Sequence, residues 1–414
     1  MKAQKPPADL LFLTQLLRGG LLVGALAALV GGPAGAQTRF MPAPSQVVLP
    51  ASAHALGAAN GSLREAERDW RRDPQDIQLA IRYARTAFQV GLNEGDLRWF
   101  GAAKAAMLPW WNAPALSADG HFVRGLVRQG YHDFAGGLAD FDAAIALDGQ
   151  RSAFWSWRFV IHLLVSDMAA ARRDCDTMAA RFGAGEGQAC AAVLMYRTGR
   201  AADGAAQLEQ ALRRPEFQDS GSQDWLRFHL GEAWRAAGQP ARAIAVWEQH
   251  LAQQPRAHSV RLALVALLNE QRRFADAKRL AAGPQPNASP SDALLVQQLL
   301  ASQGLGDGDT VRLAALVDQR LASQAERGEA LIERPRMIYL IRYGHDVGAG
   351  LALAVDNWRT QNEPPDAVLL AEAALKHRQP KAAQPVLDWM AHTGYTEPAL
   401  AALAQQLKAA LGRS

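Results

Sequence analysis

The sequence predicts an all-α protein, a right-handed superhelical solenoid of helix–turn–helix repeats. Residues 118–185 repeat themselves with a period of about 34 residues, since Arg124 recurs as Arg158 and Asp140 recurs as Asp174. A fixed period of roughly 20 to 50 residues is typical of solenoids. Helix-favouring alanine, leucine, arginine and glutamine abound, and no run of alternating β-branched residues predicts a strand.

The composition of the chain limits the classes of molecule that we expect it to bind. Of the 414 residues, 49% are hydrophobic and 20% are charged, with a formal net charge of +4. Half of that charge lies in the first 36 residues, where Lys2, Lys5 and Arg18 oppose Asp9. The remainder contains no block of lysine and arginine with interleaved aromatic residues, so we expect no nucleic-acid partner.

The N-terminus predicts a cleavable secretory signal peptide over residues 1–36. A basic region precedes the apolar run 21–30, and Ala34-Gly35-Ala36 has the A-x-A form of a cleavage site. The alternative is a membrane anchor, but the run is about half of the roughly 20 apolar residues that a spanning helix needs. We therefore expect cleavage before Gln37, a periplasmic location and no stable membrane insertion.

A flexible lead and a first helical pair should follow the signal. The segment 37–62 is rich in proline, alanine, glycine and serine, a composition typical of flexible linkers. Helical pattern begins at residue 63. Asp73-Pro74 predicts another helix start, because proline suits the first turn of a helix. A second helix that stops at Pro109 completes the pair.

The next units carry the clearest pattern. Gly125 in a first helix lets the second helix approach closely, and that second helix centres on Phe141 between small residues. Residues 215–223 interrupt the period by about four positions, and strict register resumes at 224. Matching columns of that later unit hold Leu230, Gly231, Trp234, Gly238, Ala243, Trp247 and Pro255.

These columns resemble the tetratricopeptide-repeat family. The stretches Arg82-Tyr83-Ala84-Arg85 and Leu108-Pro109-Trp110-Trp111 resemble those of its exported bacterial members. The resemblance covers roughly 118–291, is looser at 74–109 and 364–397, and fades in between. We therefore predict a tetratricopeptide array over 63–291, followed over 292–414 by degenerate helical repeats and a capping helix.

The resemblance implies a concave groove lined by the first helix of each unit. A polypeptide partner would dock there, and arginine with aromatic residues is typical of binding hot spots. We predict a non-enzymatic protein–protein interaction scaffold or adaptor; the alternative is a structural assembly subunit of a cell-envelope complex. By register, the groove positions are Phe122, Gln129, Arg197, Trp225, Phe228, Arg235 and Asn269.

The only two cysteines, Cys175 and Cys190, lie on consecutive helices that the register makes neighbours. A disulfide between them is geometrically feasible. The alternative is two buried free thiols, because an unpaired cysteine behaves as a small hydrophobic residue. Neither cysteine has the histidine partners of a catalytic thiol.

Signatures of catalysis and of cofactor binding are missing from the sequence. The ten histidines form no H-E-x-x-H helix, so we predict no metal site. The glycine-rich stretch 304–309 lacks the Gly-Lys-Ser/Thr of a phosphate loop, so it predicts a helix connector capped by Asp309. No enzyme activity and no cofactor are therefore predicted.

Two further groups of residues are interpreted as structural. Trp110 and Trp111 are expected to fill gaps between helix pairs rather than to stack on a ligand. The acidic residues Asp133, Asp140 and Asp142 recur with the repeat, which predicts helix-start and solvent-face positions.

Overall fold

The computed structural model describes residues 59–283, 290–326 and 333–412. The predicted signal peptide and all but residues 59–62 of the predicted lead lie outside the described residues. All regular secondary structure within the described ranges is helical, which confirms the all-α prediction. None of these helices has both the length and the apolar character needed to cross a membrane.

The helices follow one another with short connections. Helices α1 to α10 span Ala59–Arg72, Ile77–Glu94, Arg98–Met107, Ala118–Gly130, Phe134–Leu147, Ser152–Leu164, Met168–Phe182, Ala184–Arg197, Ala201–Ala211 and Ser220–Ala236. Helices α11 to α20 span Pro240–Gln253, His258–Glu270, Phe274–Ala281, Asp292–Leu305, Thr310–Glu326, Glu333–Ile338, Val347–Trp358, Pro364–Lys376, Gln384–Thr393 and Pro398–Leu411.

Consecutive helices pair into antiparallel hairpins, from α2 with α3 to α18 with α19, and each hairpin packs on the next. The pair α4 and α5 shows how the sequence builds one. Asp133 caps α5 by accepting a hydrogen bond from the backbone N–H of Gly136. A Cβ atom at Gly125 would lie 2.7 Å from the ring of Phe141, so only glycine allows this approach of the two helices.

The turn inside most hairpins places one residue in the left-handed backbone region. Glycine is the residue that adopts this region without steric cost, and Gly238 and Gly306 supply it with φ of 70° and 65°. At four other hairpins the left-handed residue is not glycine. These residues, with φ between 55° and 59°, are His132, Ser166, Arg272 and Arg378.

The less regular region predicted after residue 291 is also helical. Residues 292–326 form the hairpin of α14 and α15, whose left-handed Gly306 follows the left-handed Arg272 at one repeat length. The predicted break near Gly344 is confirmed: a π-helical turn, Tyr339–Tyr343, ends there with Gly344 at φ 86°. The repeat geometry therefore extends beyond the stretch in which its sequence pattern is visible.

Hydrophobic packing among the described residues forms three clusters, the smallest of which lies between Leu295 and Leu340. One core runs from Leu63 to Leu164, and a larger one joins residues between Trp155 and Ala301 to residues between Met337 and Leu407. The larger core therefore contains side chains from hairpins far apart in the sequence. We call the helices α16 to α20, residues 333–412, the C-terminal layer.

Candidate functional site

The predicted groove residues fall into two groups: Phe122 and Arg197 are buried, and the other five have intermediate exposure. Phe122 belongs to the first. Its side chain is 5% exposed and its ring centroid lies 4.7 Å from that of Phe154 and 5.8 Å from that of Phe141. Phe122 is therefore a core residue of the α4–α6 packing, and the prediction that it is open to a partner is wrong.

Arg197, at the end of α8, is also buried, with 4% of its surface exposed. Its Nη2 donates to the carbonyl oxygen of Leu163 at 3.3 Å, and its Nη1 lies 3.7 Å from Oε1 of Glu363 in the C-terminal layer. Its Nε has no hydrogen-bond partner among the described residues. Arg197 was predicted to be open to a partner, but it is buried and the chain's own C-terminal layer contacts it through Glu363.

Arg235, near the end of α10, meets three carboxylates. Its guanidinium lies 3.1 Å from Glu397, 3.4 Å from Glu232 and 3.5 Å from Glu270. Burial opposes its charge, but the carboxylates of Glu397, Glu270 and Glu232 outweigh burial and raise the pKa of Arg235 well above its usual value. Arg235 is thus engaged within the molecule, contrary to the expectation of a free groove residue.

Asn269, in α12, joins two neighbouring hairpins. Its Nδ2 donates to the backbone oxygen and to the side-chain Oε1 of Gln297, both at 2.9 Å. Gln297 lies on α14 and is 3% exposed. Asn269 therefore acts in packing between repeats, which corrects its assignment as a groove residue.

Trp225, Phe228 and Gln129 are partly buried, and the two aromatic side chains pack against the larger hydrophobic core. Trp225 and Phe228 lie on α10 with their ring centroids 4.3 Å and 5.1 Å from the ring of His229, both edge-on. Burial first, and then the charge of Arg197, lower the pKa of His229 to about 3. The imidazole is therefore neutral at physiological pH, and its Nδ1 lies 2.7 Å from the hydroxyl of Tyr196.

The contact between the C-terminal layer and the central hairpins is the main feature that the sequence did not predict. The backbone N–H of Asn362 donates to the carbonyl of Leu164 at 2.7 Å. Ser166, in the turn of the same hairpin, donates to the carbonyl of Asn362 at 3.1 Å and accepts from Nε1 of Trp389 at 2.8 Å. These bonds fix the layer against the turn between α6 and α7.

Close approach of the layer depends on glycine at the next turn. A Cβ atom at Gly199 would lie 2.5 Å from the carbonyl oxygen of Gly394. One hairpin further on, a Cβ atom at Gly238 would lie 3.3 Å from Cγ of Pro398. The layer therefore follows the turns of three consecutive hairpins.

A partly buried charge cluster lies at this contact, in which the Asp366 side chain is 2% exposed and that of Arg334 is 34% exposed. Arg334 donates to both carboxylate oxygens of Asp366, at 2.8 and 2.7 Å, and to Glu363 at 2.7 Å. Burial would raise the pKa of Glu363, but the charges of Arg334 and Arg197 outweigh it and lower that pKa to about 2. Burial raises the pKa of Asp366. Glu363 is thus the carboxylate that links the layer to the inner face.

A second buried network holds the segment before α4. Asp140 is 2% exposed and accepts from Nη2 of Arg124 at 2.7 Å, from Nη1 of Arg128 at 2.9 Å and from Nδ1 of His121 at 2.8 Å. The Nη1 of Arg124 also donates to the carbonyl oxygens of Trp110, Trp111 and Ala113. Trp110 and Trp111 are therefore held through their backbone.

The acidic repeat positions differ in role. Asp133 caps α5, which confirms its helix-start prediction, and the Asp142 side chain is 61% exposed, which confirms its solvent-face prediction. Asp140 is a buried acceptor, so its surface prediction is wrong. A carboxylate that receives two arginines is stabilised in the core by hydrogen bonds.

The structure joins Cys175 and Cys190 by a disulfide bond between α7 and α8, with both residues 3% exposed. Asp307 and Asp309, in the connector after α14, pair with Lys278 of α13, whose ammonium lies 2.6 Å from the first and 2.7 Å from the second. Within the described ranges no group of three histidine, cysteine or acidic side chains is arranged to hold a metal ion.

No family model matches the chain, and no curated protein matches its sequence. Solved structures with similar helical architecture include a tetratricopeptide repeat protein from Parabacteroides merdae, with 11% identity and a TM-score of 0.34 over 70% of this chain and 98% of that one. Yeast Tom70 has 13% identity and a TM-score of 0.31, over 86% of this chain and 59% of the other. Pseudomonas aeruginosa pilF has 15% identity and a TM-score of 0.29, over 62% and 100%.

The repeats recur within the chain itself. Helical hairpins recur with the period of the sequence, glycine meets an aromatic ring at Gly125 and again at Gly231, and left-handed turn residues recur in register. These recurring features show a fold of stacked helical hairpins, which resembles the helix–turn–helix architecture of tetratricopeptide repeats.

Proposed function

We propose that the protein is a non-enzymatic protein–protein interaction scaffold of the bacterial periplasm. A polypeptide partner docks on the inner face of the repeats, at the first half of α10. The observation that carries this proposal is the aromatic pair Trp225 and Phe228, which pack against the core on one side and keep part of their surface accessible in the first half of α10. Large aromatic side chains lose little conformational entropy on binding and dominate interface energies.

The position of this pair suits docking. The C-terminal layer covers the other end of α10 at Arg235, ten positions from Trp225 along the helix. At a rise of about 1.5 Å per residue, the two positions are separated by about 15 Å. Trp225 therefore lies away from the contact between α10 and the layer, whereas Arg197 and Arg235 are engaged by the layer.

Two features support the periplasmic location. The N-terminal sequence has the order of a secretory signal peptide. The disulfide between Cys175 and Cys190 suits an oxidising compartment, since such bonds are rare in the bacterial cytosol.

Affinity capture tests the scaffold function. The mature protein is immobilised and exposed to periplasmic extract, and captured proteins are identified by mass spectrometry. The variant Trp225→Ala/Phe228→Ala should capture at least tenfold less of one specific protein than the unchanged chain does, because the aromatic anchors are removed. Circular dichroism checks that the variant is folded.

The matched control is Leu147→Ala/Val311→Ala, which truncates two apolar side chains that are 60% and 80% exposed elsewhere on the molecule. This control should capture the partner as the unchanged protein does. Equal capture by the folded Trp225 variant and by the control would contradict the proposal.

A further inference from the structure

Helix α10 meets the C-terminal layer through side chains that carry more negative than positive charge. On the repeat side, the guanidinium of Arg235 lies 3.4 Å from Glu232 on the same helix and 3.5 Å from Glu270 at the end of α12. On the layer side, Glu397 precedes α20, and its Oε1 accepts from Nη2 of Arg235 at 3.1 Å. Three carboxylates therefore surround one guanidinium.

A second arginine, in the layer, does not restore the balance. Arg342, in the π-helical turn, donates to both carboxylate oxygens of Glu372 on α18, at 2.9 and 3.1 Å, and lies 3.9 Å from Glu270. Lys376 follows Glu372 one turn later, but its ammonium donates to the carbonyl oxygen of Ile341 at 2.9 Å. The charged side chains of the contact are Glu232, Glu270 and Arg235 on the repeat side and Glu372, Glu397 and Arg342 on the layer side. With its two carboxylates ionised, each side carries one net negative charge.

The neighbouring ion pairs do not offset this excess. Arg334 pairs with both Glu363 and Asp366. Arg197 adds a second positive charge 3.7 Å from Glu363, so that group has two charges of each sign. The ionisable side chains of α11 that face α9 and α10 have partners of their own, Arg242 with Glu209 and His250 with Asp224.

Glu232 is the carboxylate that the layer disfavours most. Its side chain is 17% exposed, and its distance of 3.4 Å from Arg235 is at the long end of hydrogen-bond lengths. Because Arg235 is on the same helix, its attraction for Glu232 does not depend on the layer. The layer removes water from Glu232 and brings the carboxylates of Glu397 and Glu363 towards it. Burial, together with the nearby carboxylates, outweighs Arg235 and raises the pKa of Glu232 above its ordinary value of 4.5.

The other titratable groups around Glu232 on this face of α10 keep one protonation state near neutral pH. Burial first raises the pKa values of Tyr395 and Tyr196, so both hydroxyls stay protonated. Burial lowers the pKa of His229 to about 3, so this imidazole stays neutral. Glu232 is therefore the group of α10 at this contact whose charge responds to mild acidification.

We propose that Glu232 is a proton-binding group of the folded protein, through which acidification strengthens the contact between α10 and the C-terminal layer. The proton removes the net negative charge of the repeat side, so the two sides no longer repel each other. A carboxylate whose pKa is raised by folding contributes its full stability below its ordinary pKa and loses it as the pH rises through the raised value. The contribution of Glu232 is thus largest below about pH 4.5 and smallest at neutral pH.

Urea unfolding at pH 4.5 and pH 7.5 tests the proposal with the variant Glu232→Gln. Glutamine has the shape of the protonated carboxyl and no charge at either pH. We expect the unfolding equilibrium constant of the variant, divided by that of the unchanged protein, to fall at least about threefold from pH 4.5 to pH 7.5. His229 is present in both proteins, so its opposite effect on stability cancels in this ratio.

The matched control is Glu209→Gln, which removes a carboxylate from a pair with Arg242 between α9 and α11. Its ratio to the unchanged protein should be the same at both pH values. If Glu232→Gln does not fold, Glu232→Ala takes its place, because it also lacks the carboxyl group and should show the same fall. The proposal is overturned if the ratio for the folded Glu232 variant is constant or rises with pH.

A second background tests whether the layer causes the effect. In Glu397→Gln, the nearest carboxylate of the layer has lost its charge, and Arg235 has one acidic partner fewer. Adding Glu232→Gln to this protein should change the ratio by less than about twofold between the two pH values. A fall as large as in the unchanged background would overturn the assignment to the layer contact. Neither experiment involves Trp225 or Phe228, so both are independent of the capture experiment.

Discussion

Asp140 and Asp174 are equivalent residues of consecutive repeats, and each accepts hydrogen bonds from an arginine 16 positions before it. Arg124 donates to Asp140, and Arg158 donates to Asp174. A histidine one turn away on the first helix completes each group, His121 in one repeat and His162 in the next. The ion pair between the two helices of a hairpin is thus itself a repeated feature.

Loss of the Asp140 charge should destabilise the protein strongly. Asp140→Asn leaves Arg124 and Arg128 without their carboxylate in a buried site, and breaking such a pair costs about 3 kcal/mol. Asp142→Asn is the matched control, because the Asp142 side chain is 61% exposed and pairs with Arg158 at the surface, where an ion pair is worth below about 1 kcal/mol. Urea unfolding measures the free energy of unfolding of both variants. Equal losses would contradict the structural role of Asp140.

Removal of the disulfide should also lower stability. The bond closes a loop over 15 positions of sequence, which corresponds to about 3 kcal/mol in the chain-entropy account. Cys175→Ala/Cys190→Ala should therefore unfold at lower denaturant concentration than the oxidised protein. A reductant should lower the midpoint of the unchanged protein and leave that of the variant in place. A reductant effect on the variant would show that the effect does not arise from this bond.

Glycine at two turn positions should stabilise the fold. Arg272 and Arg378 are exposed and have φ of 58° and 55°, a conformation that costs a residue with a Cβ atom about 1 kcal/mol. Arg272→Gly and Arg378→Gly should each raise the free energy of unfolding by up to about 1 kcal/mol. The gain is reduced by the conformational entropy that glycine adds to the unfolded chain. Arg172→Gly, on an exposed face within α7, should lose about 1 kcal/mol instead. Thermal unfolding compares the three, and a loss at all of them would contradict the argument.

Stability should fall as the pH is lowered from about 6.5 towards 3, in part because of His229. Its pKa is about 3 in the folded protein, against 6.5 for the ordinary side chain, so below pH 6.5 the unfolded chain gains a proton that the folded chain does not. One such group lowers the free energy of unfolding by about 1.4 kcal/mol per pH unit in that window. Above pH 6.5 the imidazole is neutral in both the folded and the unfolded chain, so its full contribution to the free energy of unfolding is present.

His229→Gln should therefore flatten the dependence on pH by about one proton. Urea unfolding at pH 7, 6, 5 and 4 gives the slope for the variant and for the unchanged protein. At pH 8 the comparison isolates the loss of packing around Tyr196, because His229 is then neutral in both states. Identical slopes for the two proteins would contradict a buried neutral imidazole.

The sequence predicted the hairpins well because their signals are local. Gly125 and Phe141, Asp133 before α5 and Pro240 at the start of α11 each act within a single repeat unit. The same period assigned Arg197 and Arg235 to the inner face. It did not indicate what covers that face, because Glu363 and Glu397 belong to hairpins far along the chain.

The errors at Phe122 and Asp140 have another origin. Both positions were assigned from their register alone, and register fixes a direction on the helix but not how closely neighbouring elements pack. The approach of α6 buries Phe122 against Phe154, and the two arginines of α4 bury Asp140. The sequence did contain a signal for Asp140. Arg124 and Asp140 recur together, one repeat later, as Arg158 and Asp174.

The bonds that Ser166 makes with Asn362 and Trp389 span 196 and 223 positions of sequence. In an ordinary solenoid each unit touches only its neighbours, so such an array can fold and fray one unit at a time. In this chain, contacts between residues far apart in the sequence also have to form. Their formation is slow, and they couple distant units. Its unfolding should be one cooperative transition. During synthesis, the first half of the array cannot reach its final state until residue 389 has been made.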